Sequence, residues 1–223
     1  MKKDIIRIML CFILCWNYLY TQQPKNLNAN YLSEYFPMKI GNWWKYENDN
    51  VTLLLKVDSL TEINGVKYVA ISESKKNKSN SASGSNLSYY YRYSGNGIIK
   101  KLIQDCKPLP HPQLSDRGLC ALAGTDWIWY NFGQLKPCHY FSYSNALDGE
   151  NFVHFYDVEL LSTNRTIVIN KIIYKRCYVY KFRAYGVSDN DRFEWFAPGI
   201  GMIRRGGEDT RFHYFLVDYH LED

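Results

Sequence analysis

No apolar run in this chain of 223 residues reaches the roughly 20 needed to cross a bilayer as a helix. That excludes a multi-span membrane protein. There is no C-x-x-C pair, no G-x-S-x-G elbow, no phosphate-cradling glycine loop and no H-E-x-x-H helix. Four familiar routes to chemistry, through zinc, an activated serine, a nucleotide or a metalloprotease centre, are thereby missing. Lys and Arg form no long stripe, and the formal charge is only +5. Electrostatic attraction for a phosphate backbone or an anionic surface is weak, and nucleic acid is not expected as a partner. Proline (7) and glycine (14) are too sparse for collagen or a low-complexity chain. What remains, 46% apolar and 22% charged residues, describes an ordinary globular domain.

The first 22 residues read as a secretory signal peptide. Lys2, Lys3 and Arg7 precede the apolar stretch Ile8 to Leu14, and a polar Thr21-Gln22-Gln23 follows. Cleavage is expected between 15 and 23. Cys11 and Cys15 raise a lipid-anchor alternative, but each is preceded by Leu where a lipoprotein signal carries a small residue. The rest, 23–223, is expected to be one domain with a net charge of about +3, secreted or held in the periplasm or at the outer membrane of a bacterium. No membrane-spanning segment is expected once the signal is removed.

Four of the six cysteines lie beyond that leader. In an oxidising compartment Cys106, Cys120, Cys138 and Cys177 are expected to form two disulfides. Of three connectivities, Cys106–Cys120 and Cys138–Cys177 are favoured.

Short runs of alternating or continuous apolar residues fill the rest: 51–58, 66–72, 88–93, 97–103, 126–132, 151–161, 166–170, 172–185, 192–197 and 210–219. They are rich in aromatic and β-branched side chains, and Asn64-Gly65, Asn96-Gly97 and Pro198-Gly199 separate them with turn chemistry. The fold class is therefore mostly β: a single-domain antiparallel sheet, strongly curved or closed into a half-open β-barrel, with little helix. Only 29–36 suggests a short helix. Residues 73–87 read as a polar loop, and the Pro-rich 104–125 as a disulfide-stapled loop.

Tyrosine is abundant, with 20 copies. Alternation puts Tyr89, Tyr91 and Tyr93 on one side of a strand and Tyr90 with Arg92 on the other, while Trp44 and Tyr46 share a face of the first strand. These five, Trp44, Tyr46, Tyr89, Tyr91 and Tyr93, are the candidate ligand-binding residues, either lining a cavity for an apolar molecule or stacking outward on sugars or protein.

Candidate chemistry is thin. His154 and Asp157 are three apart and fall on opposite faces of a strand. Asp157 and Glu159 share a face, a spacing that suits paired carboxylates but is commoner on a solvated surface. Arg204-Arg205-Gly206-Gly207 reads as a charged turn. Neither catalytic residues nor metal ligands are assigned, no cofactor is expected, and the protein is read as a non-enzyme.

The stretches YFPMKIGNWWKYE at 35–47 and WFAPGIGMIRR at 195–205 resemble a group of exported bacterial proteins, many of them lipoproteins. Those open with Y-F-P-L-x-x-G-N-x-W-x-Y and close with a Y/F-A-P-G-V/I-G hairpin. Here the opening falls on Tyr35, Phe36, Pro37, Gly41, Asn42, Trp44 and Tyr46, and the close on Phe196, Ala197, Pro198, Gly199 and Gly201. The resemblance implies a half-open barrel similar to lipoprotein-localisation factors. It implies an exported, non-enzymatic protein whose sheet holds a hydrophobic or amphiphilic ligand such as a lipid. A surface module reading a glycan or an envelope protein through Tyr and Trp is the alternative.

Overall fold

The computed structural model describes residues 34–79, 83–95, 97–104, 124–145, 153–184, 191–207 and 213–222. Twelve strands build one antiparallel sheet: β1 (Trp43–Glu47), β2 (Val51–Ile63), β3 (Val66–Asn77), β4 (Ser83–Tyr93), β5 (Ile98–Leu102), β6 (Asp126–Asn131), β7 (Cys138–Asn145), β8 (Val153–Ile169), β9 (Ile172–Ala184), β10 (Arg192–Ala197), β11 (Gly201–Gly207) and β12 (Tyr214–His220). Each strand pairs with its sequence neighbour, β1 also pairs with β12, and the order is β6-β5-β4-β3-β2-β1-β12-β11-β10-β9-β8-β7. The sheet is thus an up-and-down barrel with one seam, between β6 and β7. Side chains cross that seam: the Tyr140 hydroxyl donates to the Trp129 carbonyl at 2.9 Å, and Trp127 meets Tyr143 edge-on at 4.6 Å. The expected curved, mostly β fold is what forms.

Turn chemistry places the reversals. Asn64 and Gly65 both take positive φ (53° and 75°), the two-residue hairpin that matches strand twist. Asn170 and Lys171 do the same at 49° and 67°, joining the long arms of β8 and β9. The polar Ser162-Thr163-Asn164-Arg165 interrupts the apolar pattern, so 151–161 and 166–170 read as separate strands where β8 runs through both.

Four other expectations need correction. The polar stretch 73–87 is mostly strand: its ends belong to β3 and β4, whose Ser74 pairs with Asn86 and Ser72 with Ser88. A barrel needs arms long enough to close it, and polar residues on an outward face are compatible with strand. Arg204 and Arg205 lie within β11, not in a turn. β7 was not expected at all. Cys138 and Cys177 are free thiols, not a disulfide. Cys138 stands on β7 opposite Leu160 of β8, and Cys177 on β9 opposite Arg165, so β8 lies between them. Two strand spacings are about 9.5 Å, and a disulfide needs Cα atoms within about 7 Å.

Cys106 and Cys120, with most of 104–125, lie outside the described residues, as do residues 1–33 and hence most of the suggested helix at 29–36. Residues 34–36 form a turn and bend. Among the described residues no helix is long and apolar enough to cross a membrane.

The segment after that turn enters the lumen. Tyr35 stacks on Phe132 and meets Tyr178 edge-on, while Phe36 packs against Tyr91, Tyr130 and Phe196. The core is accordingly aromatic, with Trp129, Tyr178, Tyr180, Phe182 and Phe196 almost wholly buried. Large rings span a wide barrel that aliphatic side chains would leave hollow, and each edge-to-face pair adds about 0.5–1.5 kcal/mol beyond area burial.

Candidate functional site

The opening and closing motifs meet across the lumen. Trp44 Nε1 donates to the Ile200 carbonyl at 2.6 Å, and the Tyr46 hydroxyl donates to the Met202 carbonyl at 2.9 Å. Gly201, at φ 101°, has no room for a side chain: an added Cβ would lie 3.2 Å from both Pro37 Cδ and Trp44 Nε1. Asn42 is buried and doubly engaged, its amide donating to the Pro37 carbonyl and its oxygen accepting from the Glu222 backbone N–H. The Gly-Asn and Pro-Gly signatures therefore form one latch, closing the barrel where its first strand meets its last hairpin.

Beside this latch lies a partly enclosed cavity. Its rings come from Phe36, Trp44, Tyr46, Tyr89, Tyr91 and Tyr130, and its charges from Glu73, Lys101, Arg192, Glu194 and Arg205. Its volume is about 30 Å³, where a single water needs roughly 10–15 Å³. It has room for a few atoms.

Alternation explains how charges reach the inside. On β3 the inward set Ile71, Glu73 continues the apolar face of Val69, and on β5 Lys101 follows Ile99 two residues on. Lys101 pairs in register with Tyr91, which pairs in turn with Val69. Glu194 on β10 stands opposite Arg205 on β11.

Both carboxylates are held. Glu73 Oε2 accepts from Arg205 at 2.6 Å, and its Oε1 lies 3.3 Å from Lys75 Nζ. Burial pushes the Glu73 carboxyl up, but the charges of Arg205 and Lys75 outweigh it and hold it down at about 2. Glu194 accepts from Arg192 on one oxygen and from the Tyr130 hydroxyl at 2.6 Å on the other. Burial and the charge of Arg205 bring Arg192 down to about 10.

Lys101 is different. It is 2% exposed, and its ammonium sits over the faces of Tyr89 (4.4 Å to the ring centre) and Trp129 (4.7 Å) with no hydrogen bond or salt bridge among the described residues. Burial, then the charges of Arg192 and Arg205, lower its pKa well below that of an ordinary lysine. Arg192 Nε and Nη1 and the Tyr89 hydroxyl are also buried without a hydrogen-bond partner.

Of the five expected ligand-binding residues, four come together: Trp44, Tyr46, Tyr89 and Tyr91 all line the cavity. Tyr93 does not, being 42% exposed with its hydroxyl on the Phe36 carbonyl. The cavity's charged residues were not expected from sequence. A lysine on the apolar face of a strand is the available signal, since Lys101 keeps step with Ile99 and Ile103.

The other sequence candidates stay apart. Asp157 and Glu159 flank His139 on the outer surface, at 3.6 and 3.3 Å. The side chain of His154 is outside the described set. Among the described residues no group of three or more His, Cys, Asp or Glu is placed to hold a metal.

Fold and site together define an antiparallel up-and-down barrel with an aromatic lumen and a small charged cavity. No protein-family model and no curated protein matches the chain. Among solved structures it is similar to a candidate lipoprotein of Parabacteroides distasonis, with 12% identity over 83% of this chain and 97% of that one, at a TM-score of 0.41. It is also similar to a candidate exported protein of Bacteroides fragilis with a YmcC-like fold, with 14% identity over 84% and 99%, at a TM-score of 0.44. Likeness at this level carries no functional argument.

Proposed function

We propose that the protein is an exported, non-enzymatic β protein of the cell envelope that binds an amphiphilic molecule at the cavity inside its barrel. The observation that carries this reading is a polar cluster enclosed by rings: Lys101, Arg192 and Tyr89 present unfilled donors within walls of Trp44, Tyr91 and Tyr130. Buried donors without acceptors are costly, and a ligand that supplies acceptors removes that cost. A wholly apolar ligand would leave the donors unfilled, so a molecule with a polar head suits the site better.

Export rests on the charged and apolar leader at 1–22. A non-enzymatic role rests on the carboxylates, each tied to an arginine and so poorly placed to move a proton.

The test is to purify the protein from cells, extract it with organic solvent and identify co-purified amphiphiles by mass spectrometry, with displacement of a fluorescent fatty-acid probe alongside. Absence of any amphiphile together with no probe binding overturns the reading.

A second reading draws on a row of rings at the seam. Phe141, which is 59% exposed, stacks on Phe155, followed by Tyr143 and Trp127 at centroid separations of 5.1, 5.1 and 4.6 Å. Such a row offers faces for a glycan or an envelope protein. Trp127→Ala would abolish glycan-array binding on this reading and leave amphiphile binding untouched.

A further inference from the structure

Donors and acceptors in the cavity do not balance. Each glutamate oxygen there already faces a cation or a hydroxyl: Glu73 has Arg205 and Lys75, and Glu194 has Arg192 and Tyr130. Among the described residues the Lys101 ammonium, Arg192 Nε and Nη1 and the Tyr89 hydroxyl are left as donors without a hydrogen bond, against one acceptor in the same state, Glu73 Oε1, and all of these residues line one space. With Lys101 protonated, three cationic side chains face two carboxylates among the described lining residues, one negative charge short of balance. Ring faces are a partial answer for Lys101, since cation–π contacts return far less than the cost of burying an ammonium.

We infer that the cavity is a carboxylate-binding site, in which one carboxylate group accepts from Lys101 Nζ and from an unfilled N–H of the Arg192 guanidinium. Size selects among anions. A volume of about 30 Å³, room for two or three waters at roughly 10–15 Å³ each, matches the three heavy atoms of a carboxylate group better than the five of a phosphate. Charge selects too, because Glu73 and Glu194 oppose a dianion while one missing negative charge matches a monoanion. The inference rests on the amphiphile reading for the tail of the ligand, which must leave through the cavity's opening, but not for the head. A short free carboxylate would satisfy the same donors.

The experiment measures binding of three probes to the full-length protein by calorimetry: laurate, dodecanol and acetate. Laurate is expected to bind at least tenfold more tightly than dodecanol, and Lys101→Met to lose at least tenfold in laurate affinity while its circular dichroism stays that of the wild type. Equal binding of laurate and dodecanol overturns the carboxylate site and leaves the amphiphile reading standing. Acetate binding as tight as laurate keeps the carboxylate site and overturns the amphiphile reading. No binding of any probe overturns both. Should Lys101→Met fail to fold, the comparison of acid with alcohol on the wild-type protein still decides.

Discussion

Two parts of the lumen bury polar groups beneath aromatic rings, and they do so in opposite ways. At the latch, Asn42, Trp44 and Tyr46 send every named donor to a backbone carbonyl, and Asn42 accepts from Glu222 in return. Around Lys101, donors outnumber acceptors and several are unfilled. Satisfied polar groups specify a shape; unsatisfied ones in a cavity leave a vacancy that a ligand can fill. Trp44 and Tyr46 belong to both regions, with their polar tips in the latch and their ring faces on the cavity, so the latch sets the geometry of the cavity wall.

The largest effect should come from breaking the Arg205–Glu73 ion pair in the cavity. Arg205→Met leaves Glu73 buried and short of its main partner, and a loss of about 3–5 kcal/mol is expected from chemical denaturation. The double variant Arg205→Met with Glu73→Leu should recover most of it, because neither charge then remains to be desolvated. The pair also sets an acid limit. Glu73 is held at about 2 in the folded protein and titrates near 4.3 when unfolded. Its contribution is therefore whole above roughly pH 5 and lost as pH falls towards 2, since over that window the unfolded chain binds the extra proton. A flat stability between pH 5 and pH 2.5, in the background of a folded Glu73→Gln control, would show that the pair contributes nothing.

At the latch the expected losses are smaller. Asn42→Ala removes one donor and one acceptor from buried partners, and about 1–3 kcal/mol should follow. Gly201→Ala combines a φ of 101° with close contact to Pro37 and Trp44, and strain of about 1–3 kcal/mol is expected. Neither change touches the donors around Lys101, so thermal midpoints should drop while laurate affinity per folded molecule falls by less than that of Lys101→Met.

Lys101→Met should reverse the sign. Methionine fills a similar volume between Tyr89 and Trp129 and has no proton to desolvate, so stability is expected to hold or to rise by about 1 kcal/mol at neutral pH. The wild-type protein should gain stability as pH rises from the depressed folded value of Lys101 towards about 10.4, because the unfolded lysine holds its proton longer. That slope should be absent from the variant. A Lys101→Met protein several kcal/mol weaker than wild type would place Lys101 among the satisfied groups and erase the contrast between the two regions.

Much of the scaffold was legible in advance, and the reasons are local. Period-2 runs such as VKYVAIS, and Asn64-Gly65 between two of them, carry strand and reversal in a few residues. Alternation alone put Trp44 with Tyr46, and Tyr89 with Tyr91, on a shared face, and left open whether that face looks inward, as it does. What escaped depends on partners far along the chain. Glu73 looks like loop material beside a Ser/Asn/Lys-rich stretch, and only Arg205, 132 residues away, makes it an interior residue. The same pair hid β11, since two arginines before two glycines resemble a solvated turn. β7 carries Ser142 and Ser144 between its rings, and its apolar pattern is too weak to mark a strand until β8 lies beside it.

The thiols give the finest test of the geometry, and the smallest change in stability. Cys177 is wholly buried and burial lifts its pKa to about 11; Cys138 is half-buried and also raised by burial. With β8 between them they form no bridge. Cys138→Ser should therefore cost less than about 1 kcal/mol, as a partly exposed site away from any network does, whereas removing a native disulfide typically costs 2–5 kcal/mol. Alkylation with iodoacetamide under native conditions should label Cys138 slowly and Cys177 only on unfolding, because the thiolate is the reactive form and both thiols are held protonated. Peptide mapping without reduction separates the two cases: a fragment joining Cys138 to Cys177 would mean that β7 and β9 approach each other without β8 between them, and the sheet order on which both the latch and the cavity depend would have to be redrawn.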